Sequence, residues 1–227
     1  MILSPAELES LVHASHRSPH QLLGMHPLGD GSGVVVRAYL PDAAKIEVKP
    51  TLEKDKPSFS LKRIDASGLY EGTTSAAHKV FAYELVVTDY QGKVRKVRDG
   101  YSFLPTLGEM DLYLFGQGNE RRIYEKLGAQ IISIDGVWGT SFAVWAPNAQ
   151  RVSVVGDFNG WDGRYHQLRL LGPSGVWEVF IPGVGEGAHY KFELKDATGA
   201  IVLKTDPYGF FFEAARSEEH TSELSHG

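Results

Sequence analysis

"FAVWAPNAQRVSV", Phe142 to Val154, has an earlier counterpart in "VRAYLPDAAKIEV", Val36 to Val48, at a constant offset of 106 residues. Tyr39 lies against Trp145, Pro41 against Pro147, Ala43 against Ala149 and Lys45 against Arg151. "GLYEG" (Gly68 to Gly72) lies against "GVWEV" (Gly175 to Val179) at an offset of 107. At that offset Tyr83 meets Tyr190, Asp99 meets Asp206 and Tyr101 meets Tyr208. Self-similarity at a fixed spacing marks a duplicated structural unit. The matched segments are short β-rich runs cut by Gly, Pro and Asp, at about one strand per 8–12 residues, the rhythm of a sandwich. The repeat predicts a mostly β chain of two tandem β-sandwiches.

The flanks add helix. Ser4 caps, Pro5 suits a first helical position and Glu7 completes a capping box, with Leu8, Leu11 and Val12 on one face. "SPHQLLG" reads as a second short helical turn stopping at Gly24. Between the copies helical character returns from Leu112 to Leu127, where "NERRIYEKLG" places Ile123 and Leu127 four apart with Gly128 as a stop, which predicts a helical linker. The expected organisation is residues 1–107 for the N-terminal helical segment and first sandwich, 108–128 for the linker, 129–213 for the second sandwich and 214–227 for a polar tail.

Composition narrows the function. The 227 residues carry a net charge of -5 and no cysteine. The chain is long enough to bury two cores, and disulfides and thiolate metal sites are excluded. Without a basic run, neither nucleic acid nor an anionic membrane is an expected partner. No apolar run is long enough to span a bilayer. "MILSPAELES" lacks the basic start and apolar core of a signal peptide, so a cytoplasmic location is expected by default.

No catalytic constellation is legible. G-x-S-x-G, Walker and H-E-x-x-H patterns are all missing from the sequence. His13, His16, His20 and His26 form no ligand pattern, so neither a metal nor any other cofactor is expected. Asp157 and Asp162 flank a turn, where Asp bonds its own backbone. Asp99 and Asp206 hold equivalent places in the two copies, and a role present in both reads as structural. Trp145 and Trp177 alternate within apolar strands and are expected in the core.

The copies differ at "VVGDFNGWDG", Val154 to Gly163, where the first has "KPTLEKDK" instead. This is a strand running into a turn that carries Phe158 and Trp161. Trp161 has two readings. It plugs the end of the sandwich with Phe158 as its partner, or it is a stacking platform for a flat sugar face. In the second reading Asn159 and Lys191 bond the sugar hydroxyls.

"SFAVWAPNAQRVSVVGDFNGWDGRYHQLRLLGPSGVWEVFIPGVGEGAHYKFEL" strongly resembles the family 48 carbohydrate-binding module that precedes the catalytic barrel of family 13 α-glucan enzymes. "HQLLGMHP", "VVRAYLPDA", "DGYSFLPTLGEMDLYLFGQGNERRIYEKLGA" and "KTDPYGFFFE" resemble the bacterial 1,4-α-glucan (glycogen) branching enzyme family, from about His20 to Glu213. The resemblance implies two N-terminal immunoglobulin-like β-sandwiches, the second of glucan-binding type. It also implies sugar contacts at Trp161 and Lys191. Binding members often carry a further Trp after "YKF"; here that stretch reads "DATGAIV", with no aromatic, so weak affinity is expected.

The family's reaction converts α-1,4 to α-1,6 linkages through an Asp nucleophile and a Glu acid/base in a downstream (β/α)₈ barrel. Such a barrel needs about 250 residues. Residues 1–227 contain none of it, and no catalytic residue carries over. The resemblance implies α-glucan (glycogen) and the barrel of the same polypeptide as partners. The alternatives are non-binding modules that brace the barrel, and a stand-alone glycogen-binding regulatory subunit. The tail departs from the family: "RSEEHTSEL", Arg216 to Leu224, resembles the translation of a sequencing adapter, so residues 214–227 are expected to be disordered and non-native, the alternative being a genuine polar tail.

Overall fold

Ser4 opens the first helix, α1 (Pro5–Val12), as its neighbours dictate: the Glu7 N–H donates to Ser4 Oγ over 3.3 Å, and Glu7 Oε2 accepts the Ser4 N–H over 2.8 Å. The structure is a computed structural model that describes residues 3–212 and the backbone of Ser222–Glu223. The chain divides into two units, Met1–His13 with Pro19–Ser102, and Ala14–Ser18 with Phe103–Gly227.

In the first unit "SPHQLLG" makes a 3-10 turn at Pro19–Gln21, and Gly24 starts a strand instead of ending a helix. The strands are β1 (Gly24–Pro27), β2 (Val34–Tyr39), β3 (Ala43–Pro50), β4 (Phe59–Arg63), β5 (Leu69–Thr74), β6 (Tyr83–Asp89) and β7 (Val94–Val97). They run in the order β1-β2-β5-β4-β3-β6-β7, every pairing antiparallel. β4 is the hinge of this curled sheet: Leu61 pairs with Ile46 of β3, and Lys62 with Glu71 of β5. Alternate residues Val34, Val36, Ile46, Val48, Leu85 and Val87 fill the space inside.

The linker's helix begins three residues before Leu112 and ends well short of Leu127. α2 spans Glu109–Gly116, and the Asp111 carboxylate accepts the Gly108 N–H over 2.9 Å at its start. "NERRIYEKLG" contributes only a 3-10 turn at Ile123–Glu125. Gly118, at φ +70, ends the helical run before Ile123 is reached.

In the second unit β8 (Gly128–Ile134), β9 (Val137–Trp145), β10 (Arg151–Gly156), β11 (Arg169–Leu170), β12 (Val176–Pro182), β13 (His189–Lys195), β14 (Ile201–Lys204), β15 (Phe211–Phe212) and β16 (Ser222–Glu223) form two sheets. One runs β11-β12-β9-β8; the other runs β10-β13-β16-β15, with β14 also on β13. Phe142, Val144, Val152, Val154, Trp177 and Phe192 pack between them. The outer face of the β9–β12 pair is also covered: Ala143 and Val176 bury with Leu107 and Leu127, against Leu112 and Phe115 of α2.

That second layer corrects the placement of Trp145. Trp177 is fully buried, but Trp145 lies one residue past Val144 and so on the opposite face. There it is 54% exposed, its ring edge-on to Phe115 at 6.0 Å. Trp138 is the exposed second residue of β9.

Apart from Ser222 and Glu223, which pair with Tyr190 and His189 of β13, the tail expected to be disordered lies outside the described residues. No helix among the described residues is long and apolar enough to cross a membrane.

Candidate functional site: the aromatic turn after β10

The register of β10 against β13 builds the base of the site. Gly156 pairs with Tyr190, Val155 with Lys191 and Ser153 with Glu193. Val152, Val154, Tyr190 and Phe192 point inward, so Arg151, Ser153, Val155, His189, Lys191 and Glu193 share the outer face. Val155 and Ser153 are buried on that outer face too. The covering element is the loop from Asp157 to Gln167. A Cβ at buried Gly163 would sit 2.2 Å from Glu193 Oε1 and 3.1 Å from Arg151 Nη1. The loop therefore lies directly on the Arg151–Glu193 ion pair, and only glycine lets it come so close.

At its start the loop makes a 3-10 turn, Asp157–Asn159, followed by two left-handed residues: Gly160 at φ +61 and Trp161 at φ +63. The Trp161 N–H closes the turn on the Gly156 carbonyl over 3.0 Å. The two aromatic rings then separate. Phe158 packs on the core, 5.8 Å from the Phe142 ring and 5.7 Å from His166, and it plugs the end of the sandwich. Trp161 is 38% exposed, and its indole Nε1 donates to Asp157 Oδ1 over 3.1 Å. The other carboxylate oxygen, Asp157 Oδ2, lies 3.2 Å from His189 Nδ1.

Asn159 differs from the role read in the sequence. It is buried, its Oδ1 accepts the Gly156 N–H over 2.9 Å, and its Nδ2 donates to the Val154 carbonyl over 2.9 Å and to His166 Nδ1 over 3.0 Å. Both amide hydrogens are spent within the turn, leaving no donor for a ligand. Asn159 holds the turn that presents Trp161. His166, missed in the sequence, is its partner: burial lowers its pKa to about 4, so near neutral pH it is the uncharged acceptor that Asn159 needs.

Lys191 is almost wholly buried, on the outer face beside the base of the turn. Among the described residues its ammonium has no ion-pair partner. A buried cation of this kind is costly unless oxygen atoms come to it. Asp162 is engaged elsewhere: Arg164 binds its carboxylate, Nη2 at 2.6 Å, and holds it below the usual carboxylate range.

The described residues hold no group of three or more His, Asp or Glu side chains placed to bind a metal ion. Asp99 and Asp206 are structural. Each accepts a tyrosine hydroxyl, Tyr83 at 2.5 Å and Tyr190 at 2.6 Å, and each caps the following turn through the N–H of Tyr101 or Tyr208.

Comparison with known families places both units. Residues 4–101 match the N-terminal domain of alpha-1,4-glucan branching enzyme GlgB, and residues 126–209 match carbohydrate-binding module 48, the isoamylase N-terminal domain. The 1,4-alpha-glucan branching enzyme GlgB of Myxococcus xanthus is 52% identical over 207 residues, covering 90% of this chain and 27% of that protein. Those of Rubrobacter xylanophilus and Synechocystis are 47% and 44% identical, each over 91% of this chain and 27% of the relative. The chain thus spans about a quarter of the length of these curated relatives. By these matches the chain carries the N-terminal domain of the 1,4-alpha-glucan branching enzyme GlgB, followed by a carbohydrate-binding module 48 domain.

Proposed function

We propose that the second unit is a weak α-glucan contact surface centred on Trp161 and Lys191, serving an enzyme that transfers glucan chains from α-1,4 to α-1,6 linkage. The transfer itself belongs to the catalytic barrel that the family resemblance implies. The observation that carries this reading is the separation of the two aromatic residues. Phe158 fills the sandwich end, so Trp161 is left with an exposed ring that the core does not use. A pyranose C–H face stacks on such a ring, and the Lys191 ammonium, without an ion-pair partner among the described residues, supplies donors for hydroxyl oxygens. Trp145 is engaged at Phe115 and Ser174, and "DATGAIV" offers no second aromatic, which supports low affinity.

Retention on glycogen tests this. The wild-type chain is expected to be retarded in a native gel cast with glycogen, and Lys191→Ala to run nearer to its mobility without glycogen. Equal mobility of the wild type in gels with and without glycogen would refute the reading.

A second reading, a brace for other domains, has its own support in the second unit. A cleft of about 590 Å³, lined by Leu107, Leu112, Tyr113, Leu171 and Pro173, opens beside α2, and Met110 is exposed on the helix. Exposed apolar area of this kind favours a protein surface over water. The two roles use different residues of one unit and are compatible.

A further inference from the structure

We propose that Asp157 is a positioning residue for Trp161: its carboxylate takes the indole N–H and fixes which face of the ring the turn presents. The inference deepens the glucan-binding reading and rests on it. Trp161 stands in the left-handed backbone region, exposed, on a turn. A large side chain in that setting would otherwise exchange among rotamers, and a ligand would bear the cost of ordering it. Here the ring is tied at one point, Nε1 to a carboxylate oxygen, Asp157 Oδ1, at 3.1 Å.

The tie is itself anchored. His189 Nδ1 lies 3.2 Å from the other oxygen of Asp157, and His189 precedes Tyr190, the residue paired with Gly156. One carboxylate at the end of β10 thus holds the indole on one oxygen and the start of β13 on the other. Gly163 constrains the far side of the same loop, seated on the Arg151–Glu193 pair. A chemical consequence follows. With its indole N–H committed to Asp157 and its backbone N–H to Gly156, Trp161 offers a ligand its face and no hydrogen bond. It is therefore suited to the apolar face of a neutral sugar, and hydroxyl recognition falls to Lys191.

The indole N–H resonance of Trp161 in the free protein reads this tie directly, in a ¹⁵N-correlated NMR spectrum. The peak is assigned by its disappearance in Trp161→Phe. Asp157→Ala is expected to shift it upfield and speed its exchange with deuterium. The same variant should weaken α-cyclodextrin binding by about two- to fivefold, the range of an exposed charge-assisted contact. Asp157→Asn keeps an acceptor oxygen and should lie closer to wild type on both measures. His189→Gln should speed the exchange without removing the bond. If Asp157→Ala leaves the resonance and its exchange at wild-type values, the proposal fails. It fails also if Asp157→Asn is as impaired as Asp157→Ala. Absence of α-cyclodextrin binding in the wild type would refute the glucan reading instead, and the free-protein spectrum would still decide the positioning role.

Discussion

The Tyr190 hydroxyl donates to the buried carboxylate of Asp206 over 2.6 Å, and Tyr83 makes the same bond to Asp99 at 2.5 Å in the first unit. The duplication explains why both Asp residues survive burial. Each carboxylate receives a phenol on one oxygen and a backbone N–H on the other, which closes the turn that follows the last long strands of the repeat. Removing Asp206 strands a buried hydroxyl and a backbone donor together. Asp206→Ala should therefore lower unfolding stability by about 2–4 kcal/mol, the sum of two unsatisfied groups. Asp206→Asn should cost less, because it still offers one acceptor. Urea melts followed by far-UV circular dichroism measure both.

Glu178 sits at zero exposure on β12, its Oε1 bound by Arg169 Nη2 at 2.5 Å and its Oε2 by the Thr106 N–H at 2.7 Å. The first unit keeps the equivalent Glu71 but pairs it with Arg37, from the strand on its other side. Glu178→Ala leaves Arg169 buried and uncompensated, and should cost about 3–5 kcal/mol. Combining it with Arg169→Met should recover part of that loss. A double variant less stable than Glu178→Ala would contradict the pairing as the source of the cost.

His166 gives the second unit a pH dependence of definite sign. Its folded pKa, about 4, lies below the ordinary 6.5, so between these values the unfolded chain binds the extra proton. Stability is full above about pH 6.5 and falls as the pH drops toward 4, by at most about 3 kcal/mol. Asp99 and Asp206 act in the opposite sense. Burial raises their pKa, so just above 3.8 the folded state takes up protons first, which offsets part of the loss. His166→Gln should flatten the decline between neutral and acid pH. Parallel declines in the variant and the wild type would rule His166 out as its cause.

Much of this architecture is legible in the sequence because alternation and repeat spacing are local signals. The runs around Val36, Val48, Leu85, Phe142 and Val154 all form strands. β1 was not legible: "GMHP" has neither alternation nor β-branched residues, and it pairs only because β2 offers it an edge. The ends of the linker helix are not legible because Met110, Leu112, Tyr113, Leu114 and Phe115 leave little polar contrast along it, which hides the helical period. Trp145 shows the limit of alternation, which gives parity but not which face meets which layer. Asn159 and His166 are seven residues apart, and nothing local announces that the amide of one needs the neutral ring of the other.

Gly163 should resist substitution. A methyl group there meets the Glu193 carboxylate and the Arg151 guanidinium, so Gly163→Ala must part an ion pair or lift the loop. A loss of about 1–3 kcal/mol is expected, as for other overpacked sites. The variant should also bind glucan more weakly, since the lifted loop carries Trp161. A Gly163→Ala protein as stable as wild type would show that the loop has room to move.

The central claim is that the Trp161 ring serves a ligand and not the core. Isothermal titration of the wild-type chain and Trp161→Ala with α-cyclodextrin, beside urea melts of both, tests it most directly. The account predicts measurable weak binding by the wild type and none by the variant, with stability changed by no more than about 0.5 kcal/mol. A Trp161→Ala protein that folds normally and binds α-cyclodextrin as the wild type does would contradict it.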